Sequence, residues 1–250
     1  MSPTPVSETA RRVAAQRLAF DRVTAPYGDP SADERLSRDI AAGLPQDGPL
    51  RRYLEARTRF FDTVVVRCLD GGITQVVVGA AGYDCRALRY AKAGVRWFEI
   101  DRSPTQHDKQ ARLERLRIAC THVSFVAADF DTDDLCAPLA AHGLDESIPT
   151  LFLLEGVAAY LERATLHSVL SQFARVGAPR SRLAVSLSVS QGSPARAARR
   201  EALRQAVEAL GEPLRSSVAP DAIDELLGSA GWARAGAVND AGFVLAERRH

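Results

Sequence analysis

The chain has 250 residues, in which 32 lysines and arginines nearly balance 31 aspartates and glutamates. This length suits one α/β domain with a well-buried core, and the balance leaves no overall field to attract nucleic acid or an anionic membrane. The four cysteines have no zinc-site spacing, the N-terminus has no apolar signal core and no stretch has the roughly 18 apolar residues of a membrane span, so we expect a cytoplasmic protein without a metal.

Three helices are predicted before the first strand. Ser7 is a suitable N-cap for a helix that runs to about Val23, and a second helix is expected at 31–42 after the turn at 27–30. A third, at 50–69, ends at Asp70-Gly71-Gly72. We expect residues 1–72 to form an N-terminal helical extension or cap over the sheet edge, and residues 73–250 to form one compact domain.

From residue 74 onward, apolar strands alternate with helical segments. Strands are predicted at 74–78, 95–100, 122–127, 150–154, 182–188 and 242–247, with a weak strand at 233–238. Helices are predicted at 83–93, 104–119, 163–176, 194–210 and 220–228. This order predicts an α/β fold: a doubly wound, mostly parallel seven-stranded sheet of the Rossmann-like type whose last strand is reversed.

The turn after the first strand is the strongest sign of a ligand site. In QVVVGAAGYDCRALR, a β-branched run stops at small residues, so backbone can approach a ligand closely between Gly79 and Gly82. The turn lacks the Gly-x-Gly-x-x-Gly spacing of dinucleotide sites, and the charge of Asp84 would repel phosphates. The sequence therefore favours a ligand without phosphate.

Acidic residues follow several strands of the predicted sheet. Glu99 and Asp101 end the second strand, Asp129 follows the third and Glu155 follows the fourth. Carboxylates accept hydrogen bonds and lower the energy of a cation, which suits ribose hydroxyls, an exocyclic amine and a positive charge. S-Adenosylmethionine has all of these groups.

Seven segments in register resemble a known family. They are TARRVAAQRLAF, YGDPSADERL, RTRFFD, QVVVGAAGYDCRALRYA, VRWFEIDRSPTQHDK, VSFVAADF and LFLLEGVAAYL, and together they cover most of the chain. The pattern resembles the leucine carboxyl methyltransferase-like group of class I S-adenosylmethionine-dependent methyltransferases. The resemblance implies methyl transfer to oxygen and a methyltransferase domain at 73–250. It implies a cofactor site built from Arg57, the turn from Gly79 to Gly82, Asp101, Asp129, Phe130 and Glu155.

The turn departs from this family's pattern at one position. Where the family reads Gly-Ala-Gly-Leu/Tyr-Asp, Ala80 stands in place of the first glycine and Gly79 is shifted one place earlier. If the backbone at Ala80 needs a positive φ, this residue is strained.

Two arginines are candidates at the methionine end of the ligand. Arg57 falls on the buried stripe of its helix, where a guanidinium needs an anionic partner. We interpret it as a clamp on the cofactor carboxylate, with a structural ion pair as the alternative. Arg17, on the first helix, is a candidate for binding the substrate.

The other candidate residues each have a functional and a structural interpretation. Asp101 would bind the ribose hydroxyls, with Glu99 as a neighbouring support or a solvated side chain. Asp129 would accept the adenine amine beside Phe130, or act as a helix N-cap. Glu155 would face the cofactor amine or form a salt bridge, and Tyr160 would orient the acceptor or simply pack.

No clear catalytic base emerges, and Tyr160 is the candidate catalytic residue. An in-line methyl transfer depends largely on positioning, and a carboxylate acceptor needs no deprotonation, whereas a hydroxyl does. The possible bases are His107, His122, His142 and His167, each also readily explained as a surface or structural residue. We expect an O-methyltransferase acting on a carboxyl or hydroxyl group of a small molecule. The alternatives are a catalytically silent binding protein of the same fold and, less favoured, a nicotinamide-dependent oxidoreductase.

Overall fold

A seven-stranded sheet organises the chain. The computed structural model describes residues 7–48, 50–190, 213–238 and 241–249, and helical residues 198, 201, 202, 204, 205 and 208. The strands are β1 (Gln75–Gly79), β2 (Arg96–Asp101), β3 (Val123–Ala127), β4 (Thr150–Leu154), β5 (Arg182–Ser186), β6 (Trp232–Arg234) and β7 (Phe243–Arg248). Their order is β3-β2-β1-β4-β5-β7-β6, and only β7 runs antiparallel to its neighbours. This topology confirms the predicted fold class.

The helices are close to those predicted, with a few differences in length. They are α1 (Glu8–Arg17), α2 (Pro30–Ile40), α3 (Arg51–Asp70), α4 (Arg86–Arg89), α5 (Ser103–Arg115), α6 (Cys136–Ala141), α7 (Arg163–Val176) and α8 (Ile223–Ser229). Short 3₁₀ turns occur at Ala158–Tyr160 and Pro220–Ala222. The helix predicted at 194–210 lies mostly outside the described residues, although those described within it are helical. None of the described helices is long and apolar enough to cross a membrane.

Both faces of the sheet are buried, as in other doubly wound folds. On β4, Phe152 and Leu154 join the core under α7, whereas Leu151 and Leu153 join the core under α3. Because α3 itself forms one of the layers that cover the sheet, it is packed as part of the main core. The division of the chain at residue 72 stays a prediction.

One predicted helix is much shorter than expected. The helix expected at 83–93 is a single turn, α4, and the segment before α2 packs against its end. The backbone N–H of Asp29 donates to the Leu88 carbonyl at 3.0 Å. A side chain at Gly28 would have its Cβ only 2.0 Å from the Arg89 carbonyl oxygen, so this approach requires glycine. Helix α6 was missed, and the predicted strand at 233–238 is the shorter β6.

Candidate functional site

A cavity of about 510 Å³ lies at the carboxyl ends of the parallel strands. This edge is where ligands bind in open α/β sheets, and the volume is in the range of small-molecule sites. Part of its wall comes from α1 and the first half of α3. The predicted site residues in the lining are Arg17, Arg57, Gly82, Asp101, Asp129, Phe130, Glu155 and Tyr160.

The turn after β1 brings backbone into the cavity at Ala80, Ala81 and Gly82. Both Ala80 and Gly82 have positive φ, 50° and 49° respectively, so the strain anticipated at Ala80 is present. A Cβ added at Gly82 would lie 3.1 Å from the Cβ of Ala10, which shows how closely α1 packs on the turn. Helix α1 therefore lies directly against the predicted ligand-binding turn.

Gly79 is placed differently from the expectation. It does not belong to the cavity lining, and a Cβ at this position would lie 3.0–3.2 Å from side-chain atoms of Leu154, Phe173 and Phe130. The close approach at Gly79 is thus to core side chains. Gly79 allows the core to pack under the turn, whereas Ala80, Ala81 and Gly82 line the cavity.

We expect Ala80→Gly to stabilise the protein. An L-residue at φ +50° costs about 1–2 kcal/mol, of which the greater freedom of unfolded glycine offsets about 0.5–1 kcal/mol. The expected net gain is about 0.5–1 kcal/mol, or roughly 2 °C in the thermal midpoint measured by calorimetry. Gly82→Ala is the matched control with the opposite sign. A lower midpoint for Ala80→Gly would contradict this account.

Asp101 is the carboxylate at the end of β2 that faces the cavity. Its side chain accepts the backbone N–H groups of Gly82 at 2.5 Å and Arg102 at 2.7 Å. Burial raises the pKa of Asp101, and these two hydrogen bonds offset part of that shift. Glu99 instead points into the core, where it pairs with Lys109 at 2.5 Å. The structure therefore separates the two acids that the sequence left side by side.

The segment after β3 forms a turn around Asp129. The Oδ1 atom of Asp129 accepts the N–H of Asp131 at 3.1 Å, and the backbone N–H of Asp129 donates to the Asp133 carboxylate at 2.8 Å. The next helix, α6, begins only at Cys136, so Asp129 is not a helix N-cap. The half-buried Phe130 packs against the core and also lines the cavity.

Glu155 lies at the centre of a buried charge cluster. Its Oε1 atom accepts Arg17 Nη2 at 2.7 Å and Arg57 Nε at 2.9 Å, and its Oε2 atom accepts Arg86 Nη1 at 2.6 Å. Arg86 also forms a short ion pair with Asp84. Arg57 additionally lies over the ring of Tyr53, with its Cζ atom 5.6 Å from the ring centroid. Glu155 and Arg57 thus form the salt bridge that was the structural alternative for each of them, and this salt bridge lies in the wall of the cavity.

These contacts fix the ionisation of the cluster. Burial by itself would raise the pKa of Glu155, but the charges of Arg17, Arg86 and Arg57 outweigh it and hold the pKa well below its usual range. Arg86 and Arg17 likewise lower the pKa of Asp84 against the effect of its burial. Arg17 and Arg57, which hold Glu155, also line the cavity, where their guanidinium groups suit an anionic ligand group.

Two features of this cluster differ from the sequence analysis. Arg86 was missed, although its place two residues after Asp84 in a tightly packed turn was a usable signal. Asp84 was treated as an open negative charge, yet its carboxylate is paired with the fully buried Arg86. Asp84 would therefore repel a phosphate less strongly than the sequence indicated.

Comparison with known proteins gives the family of the chain. A model of the leucine carboxyl methyltransferase family matches residues 9–174, a segment that includes most of the cavity wall. The chain belongs to the leucine carboxyl methyltransferase family. This match begins within α1 and ends within α7, so it includes the strands β1 to β4 whose ends form the cavity.

Several relatives of this leucine carboxyl methyltransferase family member have names that assign them an activity by inference. A Streptomyces coelicolor protein is 31% identical over 201 residues, which cover 75% of this chain and 71% of that protein. A Mycobacterium avium protein is 34% identical over 239 residues, covering 84% and 74%. Both proteins are named, by inference, as S-adenosyl-L-methionine-dependent methyltransferases. A Parafrankia relative, with the same kind of name, matches 54% of this chain at 36% identity, and the match spans only 44% of that relative.

Solved structures share the fold at low sequence identity. A methyltransferase-type protein of Thermobifida fusca YX matches over the whole of both chains with a TM-score of 0.58 and 17% identity. Magnesium protoporphyrin IX methyltransferase of Synechocystis PCC 6803, solved with bound SAH, has a TM-score of 0.55 and 16% identity over 87% of this chain and 95% of its own. The comparisons confirm the predicted family, fold class and cofactor, S-adenosylmethionine. They support S-adenosylmethionine-dependent methyl transfer as the general activity.

Proposed function

We propose that this chain transfers a methyl group from S-adenosylmethionine to an oxygen of a small molecule, with a carboxylate as the favoured acceptor. The observation that carries the proposal is the cavity at the strand ends, where Asp101, Asp129 and Glu155 lie with Arg57 around one space of about 510 Å³. Asp101 and Asp129 match the hydrogen-bond donors of an adenosine, Glu155 matches an amine, and the arginines match a carboxylate.

The adenosine end of the cofactor would lie against Asp101 and Asp129. Each carboxylate oxygen has lone pairs for more than one hydrogen bond, so Asp101 can accept ribose hydroxyls while it still holds Gly82 and Arg102. Asp129 uses only Oδ1 in its turn within the described residues, which leaves Oδ2 for the adenine amine. Phe130 would contact the base.

The methionine end would lie against the charge cluster. Its carboxylate would be held by Arg57 and Arg17, whose side chains line the cavity, and its amine by Glu155. A Cβ at Gly156 would lie 2.9 Å from Arg57 Nη1, so the glycine leaves room for this guanidinium at the cavity wall. The arginine and glutamate would thus bind the two opposite charges of the amino acid.

The chemistry favours an acceptor that is already ionised. When bound, S-adenosylmethionine supplies an electrophilic methyl group on a positively charged sulfur. The chain's residues would hold the acceptor oxygen in line with it, and Tyr160 is the proposed orienting residue. The described residues of the lining include no histidine, lysine or cysteine, and Asp84 and Glu155 are held in ion pairs. A carboxylate needs no base at neutral pH, whereas a hydroxyl does.

Arg57→Ala should test the binding site. We expect it to raise the Kd for S-adenosylmethionine and S-adenosylhomocysteine at least about 100-fold by calorimetry, because a buried charge-assisted contact is lost. Arg59→Ala is the matched control, since Arg59 is exposed two residues away on α3 and does not line the cavity. No affinity of the wild type for either compound would overturn the proposal.

The acceptor class can be tested with methyl-labelled S-adenosylmethionine and a panel of small carboxylic acids and phenols. Transfer to a carboxylate gives an ester that mild alkali hydrolyses, whereas an aryl methyl ether survives. Label recovered only in alkali-stable products would overturn the carboxylate preference. Binding of S-adenosylmethionine with no methyl transfer to any acceptor would favour the catalytically silent binding protein. A change in the fluorescence of a nicotinamide cofactor when the protein is added would favour the oxidoreductase.

A further inference from the structure

A line of buried ion pairs runs from the cavity wall into the protein. Arg86, which holds Glu155, donates through Nε to Asp62 Oδ1 at 2.7 Å. The carboxylate of Asp62 also accepts Arg22 Nε at 2.6 Å and Arg22 Nη2 at 3.0 Å. Arg22 continues to Asp33 at 3.3 Å, and Asp33 pairs with Arg89. The charges alternate in sign from Glu155 outward.

Asp62 lies behind the cavity wall and is fully buried. Its side chain is 0% exposed, that of Arg86 is 1% exposed, and neither residue belongs to the cavity lining. Buried ion pairs of this kind carry a large desolvation cost and are seldom more stable than apolar residues of similar volume. A gain in stability therefore does not by itself account for a buried carboxylate at Asp62. The direct effect of Asp62 is on the geometry of Arg86.

Asp62 holds the guanidinium of Arg86 at the end opposite the cavity. The guanidinium is planar, with donors in fixed directions, so fixing Nε also fixes the direction of Nη1. That Nη1 atom contacts both Glu155 and Asp84. A contact made by Asp62 therefore determines where two carboxylates of the cavity wall stand.

We propose that Asp62 and Arg22 are positioning residues for the cofactor site, acting through Arg86 on Glu155 and Asp84. This inference rests on the proposed function of the cavity. Arg22 lies in the irregular segment between α1 and α2, so docking of that segment completes the line of ion pairs. Arg22 of the N-terminal region is thereby linked to the cofactor site. The link runs through Asp62, 40 residues later in the chain, and then through Arg86 to Glu155, 69 residues after Arg86.

Asp62→Asn is the direct test, because it keeps the shape of the side chain and removes its charge. We expect the Kd for S-adenosylhomocysteine, measured by calorimetry well below the thermal midpoint, to rise at least about tenfold. The control is Asp39→Asn, since Asp39 joins α2 to α5 through Arg112 at 2.7 Å outside the cavity lining. It should lower the thermal midpoint and leave the Kd unchanged.

A second variant keeps the test valid if Asp62→Asn does not fold. Arg22→Gln leaves the Asp62–Arg86 pair intact and should weaken binding several-fold, and Arg22→Lys should recover part of the loss. A folded Asp62→Asn or Arg22→Gln protein that binds as tightly as the wild type overturns the inference, whatever its thermal midpoint. Failure of the proposed function is distinguishable, because then the wild type itself does not bind.

Discussion

Asp101→Ala is expected to weaken S-adenosylmethionine binding at least about 100-fold. Hydrogen bonds to a charged group contribute about 1.5–3 kcal/mol each, and a carboxylate that accepts two ribose hydroxyls provides two of them. A loss of about 3 kcal/mol corresponds to a factor of about 100 in Kd. The variant also removes the acceptor that holds the backbone N–H of Gly82, so the turn itself loses a constraint.

Calorimetric titration of the purified protein measures this effect. Asp47→Ala is the control, because Asp47 also lines the cavity but its side chain is 78% exposed, and its Kd should match the wild type. Asp101→Asn should fall between the two, since it keeps one acceptor oxygen and loses the charge. A Kd for Asp101→Ala within threefold of the wild type would show that the ribose does not lie at the end of β2.

Glu155→Gln is expected to lower the free energy of unfolding by about 3 kcal/mol at pH 7. Removing one partner from a buried ion-pair cluster leaves a positive charge uncompensated. Here Arg17, Arg57 and Arg86 lose their shared anion, and only Arg86 keeps close pairs with Asp84 and Asp62. Cofactor binding should be lost as well, because the amine loses its partner. Urea unfolding followed by circular dichroism measures the stability, with Glu114→Gln on the exposed surface of α5 as the control.

We expect the stability difference between the wild type and Glu155→Gln to depend on pH. Because the folded-state pKa of Glu155 lies well below the ordinary value of 4.5, its contribution is fully present above that pH. It is lost as the pH falls through the folded-state pKa. The stability difference between wild type and Glu155→Gln should therefore be constant from pH 7 to about 5 and narrow below pH 4.5. A difference that widens in acid would contradict the ion-pair account.

Local signals in the sequence were reliable where neighbours in the chain decide the structure. The Ser7 side chain caps α1 by accepting the N–H of Ala10 at 3.1 Å, as expected for an N-cap. The predicted length of the helix after β1 was wrong, and here a residue distant in the chain is involved. Its residues have helical spacing, but Asp29, more than fifty positions earlier in the chain, takes the Leu88 carbonyl and the helix ends at Arg89.

The candidate site shows the same division. The sequence could place Asp101, Asp129 and Glu155 at strand ends, and parallel strands bring those ends to one edge. Only the family resemblance favoured Asp101 over Glu99, because the strand pattern alone does not show that Lys109 of α5 pairs with Glu99 in the core. Nor could the sequence find Asp62, whose partners come from the α1–α2 segment and from α4.

By itself, the sequence determined the alternation of strands and helices, the small-residue turn after β1 and the acidic residues that follow the strands. These features depend on hydrophobic period and on residues adjacent in the chain. The tertiary structure alone decided which of these acids face the cavity, which arginines hold them and that Gly79 serves the core. Such choices arise from ion pairs and packing between distant segments, whose energies depend on burial and geometry that no local pattern specifies.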